Sequence, residues 1–198
     1  MNGNLAYRLE QPEEVIGGKL VMMAAPSMNH YRVSGNIYHL FRNYLEGRPC
    51  EPFPDGAALY LEEDTEEYRP DGMVVCDPEK TGDDGVHGAP DLVVEVLSPS
   101  TARYDRGHKK DVYEKHGVRE YWLVNPTDRS VEQYILENGH FVLRGMYYAH
   151  YPEYLLRRMG EAERAELATE FTCGLFPDLT IRLEDVFHRV TPEGGFVS

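Results

Sequence analysis

The stretch Asp91-Leu92-Val93-Val94-Glu95-Val96-Leu97, bounded by Pro90 and by Ser98-Pro99, decides the fold. A run of β-branched and aliphatic residues closed by prolines predicts a central strand buried on both faces. Glu95 stands in its middle. A lone carboxylate there would cost several kcal/mol or take up a proton, so it must be paired or bind a metal. The strand therefore carries a site, and Glu95's partners must come from elsewhere in the chain.

Just after it, residues 104–116 predict a helix stopped by Gly117, then an apolar strand over Glu120–Val124. Before it, Gly72–Cys76 and Ala57–Glu62 predict strands, while Asp77–Ala89 is rich in Gly, Asp and Pro and reads as a loop. Val33, Ile37, Leu40, Phe41, Tyr44 and Leu45 form an apolar stripe at helical spacing, which predicts a helix over about residues 30–46. Residues 14–25 predict a hairpin turning at Ile16-Gly17-Gly18-Lys19. Val131–Leu136 and Phe141–Tyr148 flank Asn138-Gly139, a strong hairpin signal. Tyr154–Thr169 is read as a helix, and Leu179, Ile181 and Leu183 alternate as a last strand. From residue 30 the order is helix, strand, strand, strand, helix, strand. That is an α/β fold built on a mixed sheet, with added hairpins, in a single domain over residues 1–198.

Asp71 closes Tyr68-Arg69-Pro70-Asp71 and enters the strand after Pro70, which cannot donate a ladder bond. Two carboxylates on neighbouring strands, Asp71 and Glu95, can converge on a hard cation such as Mg²⁺, with the carbonyl of Val96 as a further oxygen. Lys109, Val112, Tyr113 and His116 share one helical face, and Val112 and Tyr113 turn that face to the sheet. Lys109 thus points inward, whereas Lys110 is expected to face solvent and pair with Glu114, and Asp111 with Lys115. Other readings stand beside these: Asp71 as a turn or cap residue, Glu95 as the buried ion-pair partner of Lys109, and Lys109 snorkelling. Two acids and a lysine around a metal suit phosphodiester hydrolysis, the lysine orienting the water or offsetting charge on the phosphorane.

Composition narrows the classes. The chain of 198 residues is 41% hydrophobic and 27% charged, ordinary for a soluble globular protein. No apolar stretch can span a bilayer, and Met1-Asn2-Gly3-Asn4 lacks signal-peptide character, so no membrane partner is expected. Cys50, Cys76 and Cys173 are odd in number and far apart, which indicates no disulfide framework and a cytoplasmic location. A formal charge of −14 argues against loose attraction to nucleic acid. The run Glu62-Glu63-Asp64-Thr65-Glu66-Glu67 reads as a solvated loop. There is no HExxH, no GxxxxGK[ST] and no GxSxG.

Several of these segments resemble one family. They are Arg69-Pro70-Asp71, then Gly88 through Thr101, then Asp105-Arg106-Gly107-His108-Lys109, Tyr113, and Gly117 through Val124. They closely resemble the Uma-two family, designated "putative restriction endonucleases", a branch of the PD-(D/E)XK nuclease superfamily. The resemblance covers about residues 13–148. It implies the restriction-endonuclease-like fold, dependence on Mg²⁺ (or Mn²⁺) and cleavage of DNA, with Asp71 and Glu95 as the motif acids. Leu97 stands where the superfamily has its lysine, and the resemblance places that function on Lys109. His30, in Pro26-Ser27-Met28-Asn29-His30, also matches a recurrent family position; it is read as a helix-start or core residue, with contact to phosphate or water as the alternative. The expected function is a metal-dependent DNA endonuclease acting as a homodimer through the 131–148 hairpin. A nuclease-fold binding or assembly module that no longer cuts is the second class, and an RNA or single-strand nuclease the third.

Overall fold

The computed structural model describes residues 13–23, 25–151, 153–165 and 167–191; Met1-Asn2-Gly3-Asn4 therefore lies outside the described residues. Strands β1 (Glu13–Ile16) and β2 (Lys19–Met22) form the expected hairpin, with Gly17 and Gly18 at positive φ in its turn. Helix α1 (Met28–Tyr44) begins where Ser27 accepts a hydrogen bond from the backbone N–H of His30, and it buries Val33, Ile37 and Phe41. Strands β3 (Glu51–Pro54), β4 (Leu59–Glu62), β5 (Glu66–Tyr68), β6 (Gly72–Val75), β7 (Val86–His87) and β8 (Leu92–Val96) follow. A continuous helical stretch then comprises α2 (Ala102–Tyr104), a π-helical turn at Asp105–Lys109, and α3 (Lys110–His116), which Gly117 ends in the left-handed conformation. Strands β9 (Glu120–Asn125), β10 (Ser130–Glu137) and β11 (His140–Tyr148) come next, and then α4 (Glu153–Leu156), α5 (Glu161–Ala165), β12 (Glu170–Thr172), β13 (Thr180–Arg182) and α6 (Leu183–Val186).

The six-stranded sheet has the order β11-β10-β9-β8-β6-β3, with β8 and β9 parallel and the other neighbours antiparallel. The fold is mixed α/β. One face of the sheet packs on α1 and the C-terminal segment, through Val74, Leu92, Val94, Val96 and Trp122 against Val33, Ile37, Phe41 and Leu183. The other packs on α3 and the second sheet, through Met73, Val93, Tyr121 and Leu123 against Val112, Tyr113, Leu59 and Tyr68. The second sheet has the order β2-β1-β5-β4-β7, and this lays the N-terminal hairpin beside the site.

Several expectations are corrected. The acidic run is a solvated turn only at its middle: Glu63-Asp64-Thr65 are exposed and turn the β4–β5 hairpin, whereas Glu66 is buried and accepts from the Tyr68 hydroxyl, and Glu62 pairs with Lys115 at 2.6 Å. Glu114 accepts from the Phe141 N–H and lies 3.2 Å from His140, while Lys110 sits 4.8 Å from the Tyr134 ring centre. The expected Lys110–Glu114 and Asp111–Lys115 pairs therefore give way to cross-element contacts. Lys110 is half-buried against an aromatic rather than free in solvent. In place of one helix over 154–169 there are two short ones, separated by a turn and Gly160; Glu166 falls outside the described residues. The last strand is shorter than expected, because Leu183 opens α6 instead of extending β13.

Cys50 and Cys76 form a disulfide, S–S 2.04 Å. Cys50 precedes β3 and Cys76 follows β6. With Glu51 opposite Val75, the two cysteines fall on the next cross-strand pair. Residues far apart in sequence thus meet across a strand that Pro52 and Pro54 conceal from a sequence reading. Cys173 is free and buried, and burial pushes its thiol up.

Candidate active site

The register of the central sheet builds the site. Pro54 lies opposite Gly72, and Gly72 opposite Val94. The next row therefore brings Asp55, Asp71 and Glu95 side by side at one end of β3, β6 and β8, close to the carboxyl end of the parallel β8–β9 pair. The first turn of α1 reaches the same end from the opposite face and delivers His30.

His30, Asp55 and Asp71 form one cluster whose ligand-capable atoms all lie within 4.8 Å of one another. His30 Nε2 is 2.9 Å from Asp71 Oδ1 and 3.6 Å from Asp55 Oδ2. Nε2 is buried yet has no aligned hydrogen bond. A nitrogen and two carboxylate oxygens gathered this closely are a donor set that fits a divalent cation, and the mixed N/O set admits Mn²⁺ as well as Mg²⁺. The second oxygen of Asp71 accepts the backbone N–H of Val96 at 2.5 Å, which fixes the carboxylate. Burial lowers the basicity of His30, but Asp55 and Asp71 outweigh it and raise the imidazole pKa to about 10. Without metal the ring is therefore held as a cation between two acids.

Behind this cluster lies a buried ion network. Lys109 points inward, 2% exposed, with Nζ 3.1 Å from Glu95 Oε1, 3.0 Å from Glu14 Oε1 and 3.6 Å from Asp105 Oδ1. The Tyr113 hydroxyl donates to the same Glu95 oxygen at 2.8 Å. Glu14 comes from β1 and also accepts the backbone N–H of Arg69 at 3.0 Å, tying the N-terminal hairpin to the approach of Asp71. The π-helical turn places Asp105 and Lys109 inward together; such bulges are frequent at functional sites. Burial pushes Glu95 and Asp105 above the usual carboxylate range, against the pull of Lys109. Burial alone would lower Lys109, but the surrounding carboxylates raise it well above its ordinary value. Three acids share one ammonium, so the lysine stays charged, and Glu95 and Asp105 are the acids poised to hold an extra proton.

Lys109 and Glu95 thus meet as the sequence suggests, and Asp71 lies on the same row. The cluster suited to a cation joins Asp71 to His30 and Asp55, while Glu95 is engaged by Lys109 and Tyr113. His30 is not simply a helix-start residue. Its backbone N–H meets the Ser27 cap, but its ring faces Asp71. In the sequence Asp55 and Glu14 have no place in a site, and Asp105 stands there only within the family-like segment Asp105–Lys109, without a role. The only signal for Asp55 is its place after a proline-broken strand, and for Glu14 its place beside Val15 in a hairpin.

The family model described as "Putative restriction endonuclease" (Uma2) matches residues 6–167. The uncharacterized protein slr1290 of Synechocystis is 35% identical over 129 residues, covering 64% of this chain and 67% of that protein. A second uncharacterized Synechocystis protein, sll1609, is 30% identical over 127 residues, covering 63% and 72% respectively. The crystal structure of a putative nuclease of the DUF820 group from Anabaena variabilis superposes with a TM-score of 0.65 at 17% identity, covering 88% of this chain and 89% of the other. At that identity the likeness concerns the fold. Among the described residues no helix is long and apolar enough to cross a membrane.

Proposed function

The chain belongs to the Uma2 family of "putative restriction endonucleases", and from that premise we propose that it is a metal-dependent endonuclease cutting DNA phosphodiester bonds on a restriction-endonuclease-like core. The observation that carries this reading is the acid row Asp55, Asp71 and Glu95 with an inward, charged Lys109 behind it and His30 in front. The catalytic group is Asp71, Glu95 and Lys109. Asp71, His30 and Asp55 would hold a divalent cation, Mg²⁺ or Mn²⁺, with Glu95 and the Val96 carbonyl on the neighbouring strand β8 as further oxygens. A divalent cation there neutralises phosphate and acidifies water.

The chain's own groups do the rest. Asp55 and Asp71 attract the cation that a −14 chain needs before a polyanion can approach. The Val96 N–H keeps Asp71 in place. Lys109 retains its proton, so it serves as a fixed positive charge that orients the attacking water or stabilises the phosphorane, not as a base. Tyr113 and Glu14 hold Glu95 and Lys109 in register.

The test is incubation of plasmid, duplex and single-stranded DNA with the protein in Mg²⁺ or Mn²⁺ and in chelator. Cutting is expected with metal, lost in chelator, and reduced at least 100-fold in Glu95→Ala. Metal-independent cutting, or full activity of Glu95→Ala, would sink the assignment. Binding with no cutting under any condition would favour the assembly-module reading.

The same proposal includes a homodimer. Strand β11 is an edge of the large sheet, and Val142, Leu143 and Met146 on it are 45%, 50% and 43% exposed. A duplex cutter needs two active sites, which a second copy supplies. Sedimentation is expected to show a dimer at micromolar concentration, and Leu143→Lys a monomer. A wild-type monomer at that concentration would remove the dimer.

A further inference from the structure

The two strands that present Asp55 and Asp71 are also the two that the disulfide joins. Cys50–Cys76 closes one end of the β3–β6 pair, and the two acids stand at the other. Strand β3 is the outermost strand of its sheet. Its sequence, Glu51-Pro52-Phe53-Pro54, offers the ladder only the N–H groups of Glu51 and Phe53, because proline has none. On an edge strand only alternate N–H groups face the neighbour, so these two are its whole donation to β6, and the bridge adds a covalent tie at the Cys50 end of a four-residue strand.

Cys50 is half-buried and borders open space. An open cavity of about 510 Å³ is lined by Cys50 together with Arg42, Arg48, Tyr38 and Glu51. Arg48 is occupied, stacked on Tyr44 and 3.2 Å from Asp178. Arg42 has no ion-pair partner among the described residues. In a chain of charge −14, a cavity bearing guanidinium groups is a place where a thiolate can approach a disulfide.

We propose that Cys50–Cys76 is a dithiol-exchangeable clamp whose state sets how firmly Asp55 and Asp71 hold their cation. This rests on the cation reading of the His30–Asp55–Asp71 cluster. A reduced dithiol attacks Cys50 Sγ through one thiolate; the Sγ–Sγ bond breaks, and Cys76 leaves as a thiolate and takes up a proton. The second thiol of the reagent then displaces Cys50, which is released as a thiol. The reagent departs as a cyclic disulfide, oxidised by two electrons that the protein has gained. Strand β3 is then held by its ladder bonds and by the packing of Pro52 and Phe53, with no covalent tie to β6; Asp55 loses its fixed distance from Asp71, and the cation is bound more weakly.

The experiment compares Mn²⁺ binding, read from the free-ion electron paramagnetic resonance signal, in oxidised and dithiothreitol-reduced protein. Hydrogen exchange over residues 51–55 and near-ultraviolet circular dichroism are followed in parallel. Reduction is expected to weaken Mn²⁺ binding about tenfold and to speed exchange at Phe53 and Asp55, with the tertiary signal retained and reoxidation restoring both. Cys50→Ser/Cys76→Ser is expected to match reduced protein and to ignore dithiothreitol. Equal Mn²⁺ affinity in the two states overturns the proposal. So does global loss of the tertiary signal on reduction, which would make the bridge a staple of the whole fold. A protein that binds no Mn²⁺ in either state removes the cation site itself, and the coupling with it.

Discussion

Lys109→Ala is expected to destabilise the protein by about 3–5 kcal/mol, because it leaves a buried group of carboxylates without a counter-ion. Glu14, Glu95 and Asp105 are 1%, 3% and 1% exposed, and Lys109 is the cation they share. The loss exceeds what an exposed ion pair could give, since exposed pairs contribute about 0–1 kcal/mol. Its sign with pH is also fixed. Burial already holds Glu95 and Asp105 above their ordinary values, so the folded state binds protons more tightly than the unfolded chain there. Without the ammonium that excess grows. The variant is therefore expected to regain part of its stability as pH falls from neutrality toward 5, as the acids take up protons. Urea denaturation at the two pH values measures this, with Glu95→Gln/Lys109→Met as the control in which the lost charge is matched. A cost below about 1 kcal/mol for Lys109→Ala, unchanged by pH, would mean that the network is not electrostatically coupled.

What the sequence discloses here follows from periodicity. The run around Glu95 gives β8, the stripe through Val33 and Phe41 gives α1, and Asn138-Gly139 gives the β10–β11 hairpin. Helical spacing also turns Lys109 inward beside Tyr113, because the direction of a side chain is a local property of a regular helix. The partners depend on register across strands, which is not local. Asp55 enters the site only because Pro54 pairs with Gly72, and β3 was hidden by its own prolines. Glu14 meets Lys109 across 95 positions because the second sheet brings β1 to the π-helical turn that carries Lys109. Asp105 comes inward through a π-helical turn, which no hydrophobic period announces. His30 is the intermediate case. Its position before α1 is visible in sequence, but its ring finds Asp71 only once α1 and the end of β6 are placed.

The affinity for a divalent cation is expected to climb about tenfold per pH unit between pH 6.5 and 8.5, about 100-fold in all, because His30 must release a proton before Nε2 can act as a donor. In the metal-free protein Asp55 and Asp71 raise the His30 pKa from 6.5 to about 10. A raised pKa on a basic group contributes stability that is complete below the unfolded value and lost as pH rises through the folded one. Metal-free protein should accordingly lose that contribution between about pH 6.5 and 10. Over the lower part of the same interval, protein in fixed Mn²⁺ should gain from tighter binding, since a ligand specific to the native state stabilises in proportion to the logarithm of its saturation. The melting-temperature difference between the two samples should therefore widen with pH. Isothermal titration with Mn²⁺ in buffers of different ionisation enthalpy counts the protons released, expected to be about one per cation at pH 7.5. His30→Gln should bind more weakly and with a flatter pH dependence, and Asp55→Asn more weakly with the slope retained. Equal wild-type affinity at pH 6.5 and 8.5, with no proton released, would leave His30 as the cationic partner of Asp71 and take it out of the metal site.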